Sequence, residues 1–151
     1  MPAGRWVIHL PEPLLLHGRG LIDGTAHAEV LHLDEPLNVW GGLDPTTGKI
    51  VHRLHPQYGR CVTGTVLVLP ETRGSGTNAQ VVAQAMANGV GPAAVVLGRP
   101  DTVVVAGLVV GRELYGHVCP TAVLTLDALD ALHSGLHVRV EVNRGLATIT
   151  G

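Results

Sequence analysis

The segment Arg73-Gly74-Ser75-Gly76-Thr77 sets one hydroxyl between two glycines and a second just behind them. It follows the apolar run 64–70 and leads into a stretch with helical spacing, 78–89. Backbone N–H groups at a helix start have no partner within the helix, and the helix dipole adds about half a positive charge there. Glycines on both sides let a ligand come close to the main chain, so this turn suits a carboxylate or phosphate. It also suits a serine whose alkoxide is stabilised by those donors. The spacing is not that of a Walker loop, which needs G-x-x-x-x-G-K-[ST], nor that of a G-x-S-x-G elbow. From this segment alone, a Ser or Thr helix cap behind a glycine turn explains the residues equally well.

Other residues with chemical potential have plain alternatives. Trp40, followed by Gly41-Gly42, fits a binding loop or a tight hairpin with its indole in the core. Asp34 and Glu35 are adjacent, and neighbours on a strand face opposite ways, which argues against an acid–base pair. His52, His55 and Tyr58 lie close in sequence without a third ligand at sound metal spacing, so a polar loop that meets a partner is the better reading. Cys61 and Cys119 form no C-x-x-C pair and read as buried thiols; no metal ligands are assigned to this chain.

The elements that must position these residues fall into two halves. Residues 5–10, 13–20 and 26–33 read as strands, with a turn at 20–24 that makes the last a returning strand of a hairpin. A long Gly/Pro/Asp-rich stretch, 34–59, follows, with a turn at Asp44-Pro45-Thr46-Thr47-Gly48 between two short strands. The second half alternates. Buried strands are expected at 64–70, 93–98 and 118–124. A helix at 78–89 shows Val81, Val82, Ala85 and Met86 on one face and ends at Gly89. Residues 101–116 mix strand-forming valines with helix length; Asp101 as a cap tips the reading to a buried helix. A helix at 126–133 and strands at 136–142 and 147–150 close a single mixed α/β domain over residues 1–151.

Composition narrows the class. Hydrophobic residues make up 46% and charged residues 15%, a packed core with a sparsely charged exterior that a partner would cover. The net charge of −2, with Lys49 the single lysine, gives no footprint for nucleic acid. No apolar run reaches the ~18 residues of a membrane span, and no signal peptide is evident, so a cytoplasmic location is expected.

Taken together, D-E-P-L-x-x-W-G-G (34–42), D-P-x-T-G (44–48), H-P-Q (55–57) and R-G-S (73–75) closely resemble the small subunit of aconitase X. The likeness runs from about Leu31 to the strand at 118–124 and includes Glu113-Leu114-Tyr115-Gly116. It implies a swivelling β/β/α domain like the mobile domain of aconitase. It also implies dehydration of a hydroxy acid by a heterodimer with a large subunit that holds an iron or iron–sulfur centre, and no cofactor on this chain. The family's proton-accepting serine falls on Ser75, with Arg73, Gly74, Gly76 and Thr77 receiving substrate; many relatives carry a second serine where this chain has Gly76. The expected substrate is cis-3-hydroxy-L-proline, and 5-phosphomevalonate is the alternative. An anion-binding or interaction module without catalysis is the rival outside enzymology.

Overall fold

The apolar runs of the second half become short parallel strands because both of their faces are covered. A computed structural model describes residues 13–74 and 76–151 of the chain. In it β4 (Val66–Leu69) and β6 (Ala94–Leu97) are buried at every position. Val66, Val68, Ala94 and Val96 point into one cluster with Val138, Val140, Val142 and Ile149. Leu67, Leu69, Val95 and Leu97 point the other way, into a cluster with Val82, Met86, Val104 and Leu108. Strand period two thus divides a continuous apolar run between two cores.

The first core is the inside of a closed barrel with strand order β1-β7-β6-β4-β2-β8-β9. The remaining strands are β1 (Leu15–Ile22), β2 (Gly24–His32), β7 (Thr121–Val123), β8 (His137–Asn143) and β9 (Leu146–Thr150). Pairing of β2, β4, β6 and β7 is parallel, and the other rungs are antiparallel. β8 alternates between exposed and buried along its length, as a strand with one wet face should.

The second core lies under α2 (Thr77–Ala87) and α3 (Thr102–Tyr115), which form the β4–β6 and β6–β7 crossovers. The α3 reading holds: the Asp101 carboxylate accepts from Val103 N at 3.0 Å and Val104 N at 3.1 Å. Gly107 and Gly111 sit one turn apart on α3, against α2. A Cβ on Gly107 would lie 2.7 Å from the Ala79 carbonyl, and one on Gly111 2.7 Å from Met86 Cβ. Close approach of the two helices is what those glycines provide. Gly89 takes φ +70° just past the end of α2, as its role as a stop requires.

Four expectations change. The strands on either side of the 20–24 turn do not form a hairpin: β1 pairs with β7 and β9, and β2 with β4 and β8. Barrel closure gives each strand two other neighbours, which satisfies more backbone groups than a lone hairpin. The turn at 44–48 stands, with Gly48 N donating to the Asp44 carbonyl at 2.8 Å, but isolated bridges such as Leu43 to Ile50 flank it instead of strands. There the backbone N–H of Thr46 holds the Asp44 carboxyl below its ordinary range. The helix expected at 126–133 is only α4 (Leu126–Asp130). Cys61 is exposed, its thiol donating to the Thr63 hydroxyl at 3.2 Å, whereas Cys119 is buried as expected. The strand expected at 5–10 lies outside the described residues.

Candidate functional site

The Trp40 loop and the serine turn, far apart in sequence, are brought edge to edge. β3 (Leu37–Asn38) and β5 (Thr72–Arg73) form a separate two-stranded parallel ladder, pairing Leu37 with Thr72 and Asn38 with Arg73. Beyond it one chain enters the irregular turn α1 (Val39–Gly42), where Trp40 (ψ 119°) and Gly41 (φ +77°) leave helical geometry. The other enters Gly74, and then α2 begins at Thr77. Ser75 itself lies outside the described residues.

Gly74 has φ +116°, a conformation that side chains rarely adopt. A Cβ there would also lie 2.8 Å from Asn38 Oδ1 and 3.0 Å from Asn78 Nδ2. Only glycine fits, for both reasons. Gly76 occupies the cap position of α2 and, having no side chain, supplies no side-chain cap hydrogen bond. Asn78 is 1% exposed and joins the two segments: Oδ1 accepts from Trp40 N at 2.9 Å, and Nδ2 donates to the Arg73 carbonyl at 2.7 Å. Sequence reading passed over this asparagine. The signal was there, since Asn78 lies one turn before Val82 on the apolar stripe, where an unpaired polar group would be costly.

A second support lies one residue before Arg73. The Thr72 hydroxyl donates to Asp101 Oδ2, whose other oxygen caps α3. Beneath the ladder, Leu37, Val39 and Thr72 line an apolar cavity of about 40 Å³ with Leu69, Val82 and Leu108. It lacks the polar partners that a water or substrate would need. Arg73, Gly74, Gly76 and Thr77, together with Trp40 and Gly41, lie on the exposed face above it.

The H-P-Q motif is structural support. His55 is buried; its Nδ1 accepts from Gln57 N at 3.0 Å, which leaves Nε2–H to donate to the Glu35 carbonyl at 3.2 Å. Gln57 accepts from Asp34 N at 3.0 Å and donates to Asp34 Oδ2 at 2.8 Å. Both ring nitrogens of His55 are therefore committed to backbone groups, while His52 is exposed. The D-E and H-P-Q motifs brace one another. Among the described residues no three His, Cys, Asp or Glu side chains gather to hold a metal. The Cys119 thiol is pushed up to about 12 by burial, which keeps it protonated and a poor ligand. These residues do not fit an iron centre. Nor is any helix among the described residues long and apolar enough to cross a membrane.

The ladder-joined Trp-Gly-Gly and Arg-Gly-Ser segments fall within a longer match. The sequence profile of the family described as "Aconitase X swivel domain" covers residues 15–149. The chain belongs to the aconitase X swivel domain family. A cis-3-hydroxy-L-proline dehydratase from Pseudomonas aeruginosa is 37% identical over 110 residues, covering 73% of this chain but 19% of that protein. The Hypocrea jecorina enzyme of the same name is likewise matched over 22% of its length. The swivel domain thus spans about a fifth of these two relatives. A phosphomevalonate dehydratase small subunit from Thermococcus onnurineus is 29% identical over 136 residues, covering 89% of this chain and 97% of the relative. A crystal structure of Thermococcus kodakaraensis aconitase X in its holo form superposes with TM-score 0.79 at 28% identity, over 90% of this chain and 98% of that one. The mixed α/β architecture, a closed barrel with two packed helices, matches that fold.

Proposed function

We propose that this swivel domain is the small subunit of a two-subunit dehydratase that removes water from a hydroxy acid, with Ser75 as proton acceptor. One observation carries the reading: the residues around the serine turn lie on an open face. Elimination through a charged base needs water excluded. A large subunit closing over Trp40, Gly41 and the turn would exclude it and complete the site. The two hydroxyproline dehydratase relatives are about five times the length matched here, and their remaining chain would correspond to that subunit.

In this scheme the substrate carboxylate meets the N-terminal N–H groups of α2, with Arg73 able to pair with it. Gly74 and Gly76 keep side chains out of the way, and Thr77 stands beside them. The Ser75 alkoxide takes the proton from the carbon next to the carboxylate. That electron pair becomes the new double bond, and hydroxide leaves from the neighbouring carbon toward the large subunit. The iron or iron–sulfur centre implied by the family is assigned to that subunit, and no step runs through a metal on this chain. Swivelling of the domain would admit substrate and release product.

The substrate we favour is cis-3-hydroxy-L-proline. Arg73 is the one basic residue from Leu69 to Ala79, few cations for a phosphate carrying nearly two charges. A specific observation supports the second reading, 5-phosphomevalonate: relatives of this chain's own length are small subunits of that dehydratase. Co-expression with the large subunit, purification of the complex and assay of both compounds tests the proposal. A stoichiometric complex that dehydrates cis-3-hydroxy-L-proline, with the isolated chain silent, is expected. Turnover of phosphomevalonate alone would shift the substrate assignment, and full activity from the isolated chain would overturn the two-subunit reading.

A further inference from the structure

The contacts of Asn78 do more than satisfy a buried amide. Its two partners are particular peptides: the Arg73 carbonyl begins the peptide leading into Gly74, and the Trp40 N–H opens the Trp-Gly-Gly turn. A flipped amide would set N–H against N–H and oxygen against oxygen, so the orientation follows from the partners. The amide also packs against the Gly74 backbone, since an added Cβ would lie 3.0 Å from Nδ2 and 3.1 Å from Oδ1. Asn38 Oδ1 closes the same space from the other side. The chain before Ser75 is thereby held at one height and one rotation relative to the Trp40 turn.

We propose that Asn78 is a positioning residue: it fixes the Arg73–Gly74 peptide, the stretch of chain that leads into Ser75, relative to the turn of Trp40 and Gly41. The proposal rests on Ser75 being the base. It differs from a purely structural role because Asn78 acts on the reacting geometry and not on the affinity of an already exposed anion seat. Asn88, at the far end of the same helix, makes a comparable tether, its Nδ2 donating to the Pro45 carbonyl at 2.8 Å. That tether does not touch the serine turn and serves as the control.

The test uses the assembled dehydratase with its large subunit. Asn78→Ala should lower kcat by about 100-fold, the scale of an ångström-level misplacement of a reacting group, with KM changed by less than ~3-fold. Asn88→Ala should leave both constants near wild type. Asn78→Asp supplies a second, conservative readout. When protonated, its carboxyl donates to the Arg73 carbonyl and accepts from Trp40 N as the amide does; when ionised it has no proton to give. Its kcat relative to wild type should therefore fall as pH rises. An Asn78→Ala complex that turns over like Asn88→Ala overturns the proposal, as does an Asn78→Asp complex with wild-type kcat throughout the pH range in which its carboxyl is ionised. Ser75→Ala in the same assembly separates the two levels. Wild-type turnover there removes the base reading itself, whereas a dead Ser75→Ala beside an unimpaired Asn78→Ala removes only Asn78.

Discussion

Asp101 and Thr72 are joined side chain to side chain across 29 residues, and the same Asp101 carboxylate caps α3 through Val103 N and Val104 N. One group thus anchors both the helix start and the strand that ends in Arg73. Asp101→Ala should destabilise the chain by about 2–3 kcal/mol, roughly one for the cap and the rest for the lost hydrogen bond to Thr72. Asp101→Asn keeps a capping oxygen and should lose less. Urea unfolding of the three proteins checks the order.

Ser75→Ala should leave the fold and the subunit complex intact while turnover falls by at least ~100-fold, the usual scale for a positioned general base. Substrate affinity should change little, because Arg73 and backbone N–H groups remain. Steady-state kinetics and a direct binding measurement on the assembled enzyme decide the point. Near-normal turnover would leave the turn an anion seat at most.

Leu54 is 86% exposed on the 51–58 loop, beside exposed Val51 and Tyr58, while Trp40 is 61% exposed on the neighbouring turn. Val51 N donates to the Gly42 carbonyl at 2.9 Å, which makes the loop and the Trp40 turn one surface. If the large subunit covers it, Leu54→Glu should weaken assembly by more than about tenfold. Stability of the isolated chain should move by less than ~0.5 kcal/mol. Equal affinity of the variant and the wild type for the large subunit would place the interface elsewhere.

Cys119 links burial to alkaline stability. Burial raises its thiol from an ordinary 9.0 to about 12. The unfolded chain therefore releases this proton first as pH rises. The contribution is fully present below pH 9.0 and is lost as pH climbs toward 12, at up to about 1.4 kcal/mol per pH unit. Cys119→Ala should flatten that part of the stability profile. At neutral pH a thiol reagent should modify exposed Cys61 and spare Cys119 until the chain unfolds. Equal labelling of both in the folded chain would contradict this.

Elements that depend on near neighbours were legible in the sequence. The continuous apolar runs of β4 and β6, the stripe of Val82, Ala85 and Met86 on α2, and the Asp101 cap of α3 are local patterns with local causes. The family motifs were equally visible, since they are strings of residues. Strand partners were not. Alternating residues at 26–33 specify a half-buried strand, yet nothing in them says that β2 lies between β4 and β8 instead of beside β1. The same holds at the site. Gly74 and Ser75 announce a special turn, but the Asn78 bond to Trp40 spans 38 residues and joins segments that the β3–β5 ladder holds side by side. Periodicity reports which face of an element is buried. What that face meets is decided by long-range pairing, because hydrogen bonds and apolar contacts are chosen among segments that only the closed barrel brings together.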